Sequence, residues 1–284
     1  EIFRQVLNDG TDFEGSTSYH RMVAELFLWP ALYRRVKGKG IPELYYERLR
    51  LMGAFTSAYT KPDGTAPLWG DADDGRPYIF GPQRISDHSY LPALISLALD
   101  DEVKMVPNSE ASKELYWALG WDKGRKAEAA PKKSQISQSF GNGGVYVMAG
   151  ENNHIFIDCG PVGFDGRGGH GHNDCLSFEA VLKNIPLITD SGSYVYTEDF
   201  NWRNSFRSTS FHNTPRIDQA EINRFIGEDE LFLLSDDAKP KLHSWKTGPE
   251  KDIFVGSHSG YERLGIGLRP VRTIVLDKRV HGLV

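Results

Sequence analysis

The sequence predicts an α+β multidomain protein, helical in its first half and an antiparallel β-sandwich, or a portion of one, in its second. Three observations carry this. Up to residue 121, apolar residues recur at i, i+3, i+4 and i+7. From residue 135 onward they fall in short β-rich runs separated by turn residues. Between the two, residues 122–134 (DKGRKAEAAPKKS) are charged, contain proline and are poor in apolar residues, which is a linker composition. The expected domains are therefore 1–121, a linker at 122–134, and 135–284.

In the first half, Ser16 or Thr17 can cap a helix whose apolar positions are Tyr19, Met22, Val23 and Leu26, with Pro30 kinking or ending it. A second helix starts near Pro42 and turns Ile41, Leu44, Tyr45, Leu49, Met52 and Phe55 inward. The Gly/Pro/Asp-rich stretch that follows, KPDGTAPLWGDADDGRPYIFGPQ, is too long for a simple connection, and loops of that length are often functional. Leu91, Leu94, Ile95 and Ala98 mark a third helix, and Leu115 to Leu119 a shorter fourth. Helices joined by loops of variable length suggest part of a helical array. In the second half, GGVYVMAG and HIFIDCG flank the turn ENN, and CLSFEAVL and IPLITDSG flank Lys183-Asn184, two hairpin patterns. KDIFVGSHSGY and RTIVLDKRV continue the strands.

Composition narrows the function. A formal net charge of −5 gives no global basic field, which argues against nucleic acid as a partner. No run of 18 apolar residues is present, so no membrane-spanning helix is expected. The chain starts and stops abruptly, RTIVLDKRVHGLV ending part-way through a hairpin pattern. It is therefore expected to be a piece of a longer protein, with any export signal outside it. Cys159 and Cys175 both sit in apolar runs and read as buried thiols, and without CxxC spacing there is no thiolate metal cage.

The chemistry gathers in residues 165–218. His170 and His172 lie two apart in a Gly-rich segment, so an extended backbone would put both imidazoles on one side, though Gly169 and Gly171 permit other geometries. The hairpin that begins near Cys175 returns Asp190 towards His172, and His212 arrives from the next loop. Two imidazoles and a carboxylate make a plausible zinc site; ordinary hydrogen-bonded loop histidines are the competing reading. The loop also supplies Tyr194, Tyr196, Trp202, Arg203, Arg207, Asn213 and Arg216. Arginines beside aromatics suit planar anions, and sugar rings stack on tyrosine and tryptophan, although a solvated loop with ordinary ion pairs has the same composition. Asp71, Asp73 and Asp74 could hold Ca²⁺, but a solvated turn is the simpler reading.

The ordered blocks GGHGHNDCLSFE, PLITDSGSYVY and WRNSFRSTSFHNT, preceded by EGSTSYH and PDGTAPLWGDADDG, resemble the heparinase II/III family of polysaccharide lyases, which includes oligoalginate lyases, over roughly residues 10–220. The resemblance implies the C-terminal part of an (α/α) toroid followed by an antiparallel β-sandwich, with an acidic polysaccharide or oligosaccharide as substrate. It implies β-elimination at 4-linked uronic acids. That chemistry needs neutralisation of the uronate carboxylate, a base for the C5 proton and an acid for the departing O4. Tyr19 matches the family's acid, and His170 the histidine that acts as base or binds the carboxylate. His172, Asp190 and His212 match the ligands of a structural zinc. His20, Tyr194, Arg203, Arg207 and Asn213 fall on the substrate side. The family's Asn-His pair that neutralises the carboxylate has no counterpart before Tyr19, so this piece alone is expected to show little or no turnover. Lyases of external polysaccharides are usually exported, which implies a periplasmic or secreted protein. A glycoside hydrolase using carboxylates such as Asp73 and Glu14, or a non-catalytic glycan-binding or polysaccharide-biosynthesis-associated protein, are the alternatives.

Overall fold

The computed structural model describes residues 1–72, 74–132, 134–265 and 267–284. The chain divides into two units. Glu1–Asp12, Ser18–Ala66 and Asp73–Gln135 form the first; Phe13–Thr17, Pro67–Ala72 and Ile136–Val284 form the second.

The helices are α1 (Ile2–Gln5), α2 (Thr17–Val36), α3 (Glu43–Tyr59), α4 (Tyr90–Ala98), α5 (Ser109–Leu119), α6 (Trp121–Glu128) and, late in the chain, α7 (Phe200–Phe206). The core of the first unit is built from Val23, Ala24 and Leu28 of α2, Leu49 and Met52 of α3, nearly all of α4, and Ala111 and Leu115 of α5. Four details differ from the sequence reading. Leu44, expected on the inward stripe of α3, is half exposed. α2 runs through Pro30 without ending. Its expected stripe is rotated, for Leu26 is half exposed while His20, Arg21 and Glu25 are buried. The stretch read as a linker opens with α6, which buries Gly124 and Ala127.

The buried polar residues of α2 explain that rotation. Arg76 donates to Glu25 Oε1 (2.8 Å) and to Glu114 Oε1 (2.9 Å), and its guanidinium lies 4.5 Å from the Tyr90 ring centre. Glu114 Oε2 accepts from the backbone N–H groups of Phe80 and Gly81 and from Gln83. Arg21 donates to the carbonyls of Ile85 and Gly75. The 74–86 part of the long connection is thus tied down by buried charge rather than by apolar contact. His20 belongs to the same packed interior. Its ring is fully buried, Nε2 reaching Met52 O and Thr56 Oγ1, and lies edge-on to Phe55 and Tyr59.

The second unit carries two antiparallel sheets among the described residues. One has strands β1 (Gln138–Phe140), β2 (Val145–Gly150), β3 (Asn153–Asp158), β4 (Phe178–Leu182) and β5 (Ile185–Ile188) in sequential order. The other has β6 (Lys241–Lys246), β7 (Lys251–Ser257), β8 (Val271–Asp277) and β9 (Gly282–Leu283), also sequential. Both expected hairpins form. Asn152 turns β2 into β3, and Lys183-Asn184, both at positive φ, turn β4 into β5, as two-residue hairpins require. Met148, Ile155 and Ile157 of the first sheet share a core with Phe254, Ile274 and Leu276 of the second, and the Tyr146 ring packs at a tilt against Trp245 and Phe254. Cys159 and Cys175 are buried free thiols, as expected. No described helix is long and apolar enough to cross a membrane.

Candidate functional site

The site is assembled in the second unit from four pieces of chain: residues 14–16, residues 67–72, and the loops following β3 and β5. His170-Gly171-His172 is irregular coil, not a strand. Gly171 lies so close to Val162 that a Cβ would stand 2.1 Å from its carbonyl oxygen. Gly70, at φ +66, allows Asp71 N–H to donate to His170 O at 2.9 Å.

That contact introduces the residue on which the site turns. Asp71 is fully buried, which overturns the solvated-turn reading for this position. Its Oδ2 lies 3.1 Å from His170 Nδ1, and its Oδ1 lies 2.9 Å from His172 Nε2. Arg203 grips both oxygens, with Nη2–Oδ2 at 2.8 Å and Nη1 on Oδ1. Burial pushes the Asp71 carboxyl up, but the hydrogen bonds of His170, His172 and Arg203 outweigh it and hold the pKa well below the usual carboxylate range. Of the other two acids in that run, Asp74 is exposed and Asp73 lies outside the described residues.

On the other side of the His170 ring, Nε2 lies 3.3 Å from Glu14 Oε2. Burial raises the Glu14 pKa, opposed by His170.

His172 and His212 face one another with ring centres 5.2 Å apart. His212 Nδ1 lies 2.7 Å from Asp190 Oδ2. Burial works against charge on His212, yet the Asp190 hydrogen bond and the Asp190 and Asp174 carboxylates raise its pKa. The remaining nitrogens, His172 Nδ1 and His212 Nε2, are buried without a hydrogen-bond partner. N–H groups turned to Asp71 and Asp190 would leave lone pairs on these two nitrogens, the arrangement by which outer carboxylates orient metal-binding imidazoles. The carboxylate grouped with them is Asp174: one ligand atom each from His172, Asp174 and His212 lies within 4.8 Å of the others. This differs from the expected set, in which Asp190 was the third ligand. The hairpin does return Asp190 to the site, but its Oδ2 is engaged on the far nitrogen of His212, while Asp174 stands two residues after His172. Burial lifts the pKa of Asp174, opposed by His212 and His172, and lifts that of Asp158, where Asp174 adds to the effect. A divalent cation would reverse that cost. The donor set of two imidazoles and carboxylate fits such an ion.

The expected substrate residues are distributed differently. Arg203 is fully buried, donating also to Leu231 O and lying between the Tyr196 and Phe232 rings. Arg207, also fully buried, donates to Asn204 and to the carbonyls of Leu233 and Glu230. Asn213 uses its amide on both backbone groups of Phe178. These three hold loops in place, and His20 sits in the core of the first unit; none of the four presents its polar group to solvent for a substrate. Tyr194 is exposed, at φ +56, with its ring against Trp202 and Phe206. Tyr19 lies in the first turn of α2 in the first unit, partly exposed. Asp71, Asp174 and the Glu14 contact to His170 escaped the sequence reading. The HND continuation after His172 was a local signal for Asp174; nothing local marks Asp71.

A sheet-bearing unit whose Gly-rich loop holds two imidazoles against a metal-competent cluster defines the class of protein, and comparison identifies it: the chain belongs to the heparinase II/III family. Residues 132–283 match the heparinase II/III-like C-terminal family, and residues 1–79 match the heparinase II/III N-terminus. Among individual proteins, the chain is 24% identical over 273 residues to a heparin-sulfate lyase of Pedobacter heparinus, covering 93% of this chain and 35% of that protein. It is 25% identical over 241 residues to a heparin-sulfate lyase of Bacteroides stercoris, covering 82% of this chain and 32% of that one. The crystal structure of a mutant of the heparan sulfate lyase HepC from Pedobacter heparinus superposes with a TM-score of 0.69 at 19% identity, over 97% of this chain and 38% of that one. The chain thus spans about a third of the length of the curated relatives it matches.

Proposed function

We propose that the protein is a polysaccharide lyase that cleaves 4-linked uronic-acid glycans of the heparan sulfate class by β-elimination, with the helices as part of an (α/α) toroid and the two sheets as its β-sandwich. The observation that carries the reading is His170: its side chain is one-fifth exposed and its Nδ1 is held by a buried carboxylate. An imidazole so oriented presents Nε2, 3.3 Å from Glu14 Oε2, on the side where it would take the C5 proton or bind the uronate carboxylate, with Glu14 the neighbouring group that would share that proton. The C4–O4 bond then breaks, C4 and C5 become doubly bonded, and the departing O4 takes a proton, for which Tyr19 is the proposed donor. The names of the relatives support the substrate class, and the proposal extends to an exported, periplasmic or secreted protein acting on an external polymer. Incubating the complete protein with heparan sulfate, alginate and hyaluronan should produce ultraviolet absorbance from the unsaturated uronate with heparan sulfate. New reducing ends without absorbance would mean hydrolysis, and binding without either would mean a non-catalytic protein.

The cluster of His172, Asp174 and His212 is proposed to hold zinc as a brace for the loops, with Asp190 orienting His212. Purified protein should contain about one equivalent of metal. His172→Ala should lose it and melt at a lower temperature; a variant that keeps both its metal and its melting temperature refutes the brace.

A further inference from the structure

Asp71 places one carboxylate between two imidazoles that the proposed function uses for different purposes. Oδ2 meets Nδ1 of His170 and Oδ1 meets Nε2 of His172. The carboxylate cannot turn, because Arg203 grips both oxygens and is itself held by Leu231 O and two aromatic rings. The backbone on each side is fixed as well. Asp71 N–H donates to His170 O at 2.9 Å, and Asp71 O accepts from Ser16 Oγ at 2.6 Å.

We propose that Asp71 is a positioning residue shared by the reactive imidazole and the metal centre: by accepting one N–H from each ring it sets both tautomers, leaving Nε2 of His170 and Nδ1 of His172 as the lone-pair nitrogens. A carboxylate has an acceptor oxygen for each ring, whereas an amide has a single acceptor oxygen, so no neutral substitute holds both. The orphaned Nδ1 of His172, buried in the metal-competent cluster, is where this assignment requires it. The two functions are thereby tied: whatever displaces Asp71 reorients the ring that meets the substrate and the ring that meets the metal together. The His170 half of the inference rests on the lyase reading; the His172 half does not.

The test uses the protein labelled with ¹⁵N-histidine, in which long-range ¹H–¹⁵N correlations report each ring's tautomer. Metal-free wild type should show His170 protonated at Nδ1 and His172 at Nε2; either ring with the opposite tautomer overturns the proposal without any variant. Asp71→Asn should change the tautomer of at least one ring and weaken binding of Zn²⁺, measured by competition with a chelator, by about 10- to 100-fold. Because that change strands the Arg203 charge, Asp71→Asn/Arg203→Met is measured beside it, removing both charges, together with Arg203→Met alone. The proposal fails if a variant lacking Asp71 keeps wild-type tautomers and affinity. It fails equally if Arg203→Met, which retains Asp71, reproduces the whole loss, since Asp71 would then act only as an ion-pair partner. Lack of lyase turnover in the complete protein would sink the proposed function while leaving these spectra and affinities as they stand.

Discussion

Arg76→Ala is expected to destabilise the protein by about 3–5 kcal/mol, the usual consequence of removing one partner from a buried ion-pair cluster. The Arg76 side chain is 3% exposed, and those of Glu25 and Glu114 are 1% exposed. Without the guanidinium both carboxylates stay buried, Glu25 with only the Tyr90 hydroxyl (2.5 Å) on Oε1 and no partner on Oε2. Burial already raises the Glu25 pKa, with Arg76 the largest opposing influence, so the variant's Glu25 rises further. The sign follows from linkage. A carboxyl whose folded pKa exceeds its unfolded value adds stability below the unfolded pKa and loses it as pH rises through the folded one. The Arg76→Ala penalty should therefore be large at pH 8 and shrink towards pH 5. Calorimetric melting at both pH values checks this, with a drop of roughly 10 °C expected at pH 8. A penalty below about 1 kcal/mol, or one independent of pH, would show that water reaches these carboxylates. Replacing all three residues with neutral ones of similar size should recover most of the loss.

The same cluster shows where the sequence was legible and where it was not. The β hairpins were readable because their signals are local: Lys183-Asn184 sits between apolar runs and Asn tolerates positive φ, so turn and register follow together. The helix α2 was readable as a helix, but its inward face was misplaced, because hydropathy assigns Glu25, Arg21 and His20 to water while their partners lie tens of residues away. α6 looked like a linker since Lys, Arg and Glu suit an exposed helix as well as a solvated tether. At the site, the two loop histidines and His212 could be found from their order along the chain, whereas Asp71 contacts His172 across 101 residues and stands in an acidic, Gly-rich run that reads as solvent-facing. Long-range pairing of a buried charge leaves no periodic trace. Asp190 and Asp174 illustrate a finer limit. Chain order brings both to the metal-competent cluster, and only the position of the hydrogen bond on His212 separates the acid that orients a ring from the one grouped with the open nitrogens.

His20 supplies the other large effect, and it distinguishes a core histidine from a substrate-binding one. The ring is fully buried, and burial is the main influence lowering its pKa from 6.5 to about 4. Its Nε2–H donates to Met52 O while Nδ1 is buried without a partner, so the folded state holds the neutral ring. Between pH 6.5 and 4 the unfolded chain binds a proton that the folded chain refuses. Stability from this group is complete above the unfolded pKa and is lost as pH falls, by about 1.4 kcal/mol per pH unit and about 3 kcal/mol in all. His88 and His258, also fully buried with lowered pKa values, add to the same acid lability. His20→Gln should cost about 1–2 kcal/mol at pH 7, through lost packing on Phe55 and Tyr59. It should also flatten the stability profile by about one proton, so that wild type and variant converge near pH 5. Urea titrations across pH 4.5–7.5 measure this directly. An unchanged slope with an altered KM for glycan would return His20 to the substrate and take it out of the core; the burial around it argues for convergence.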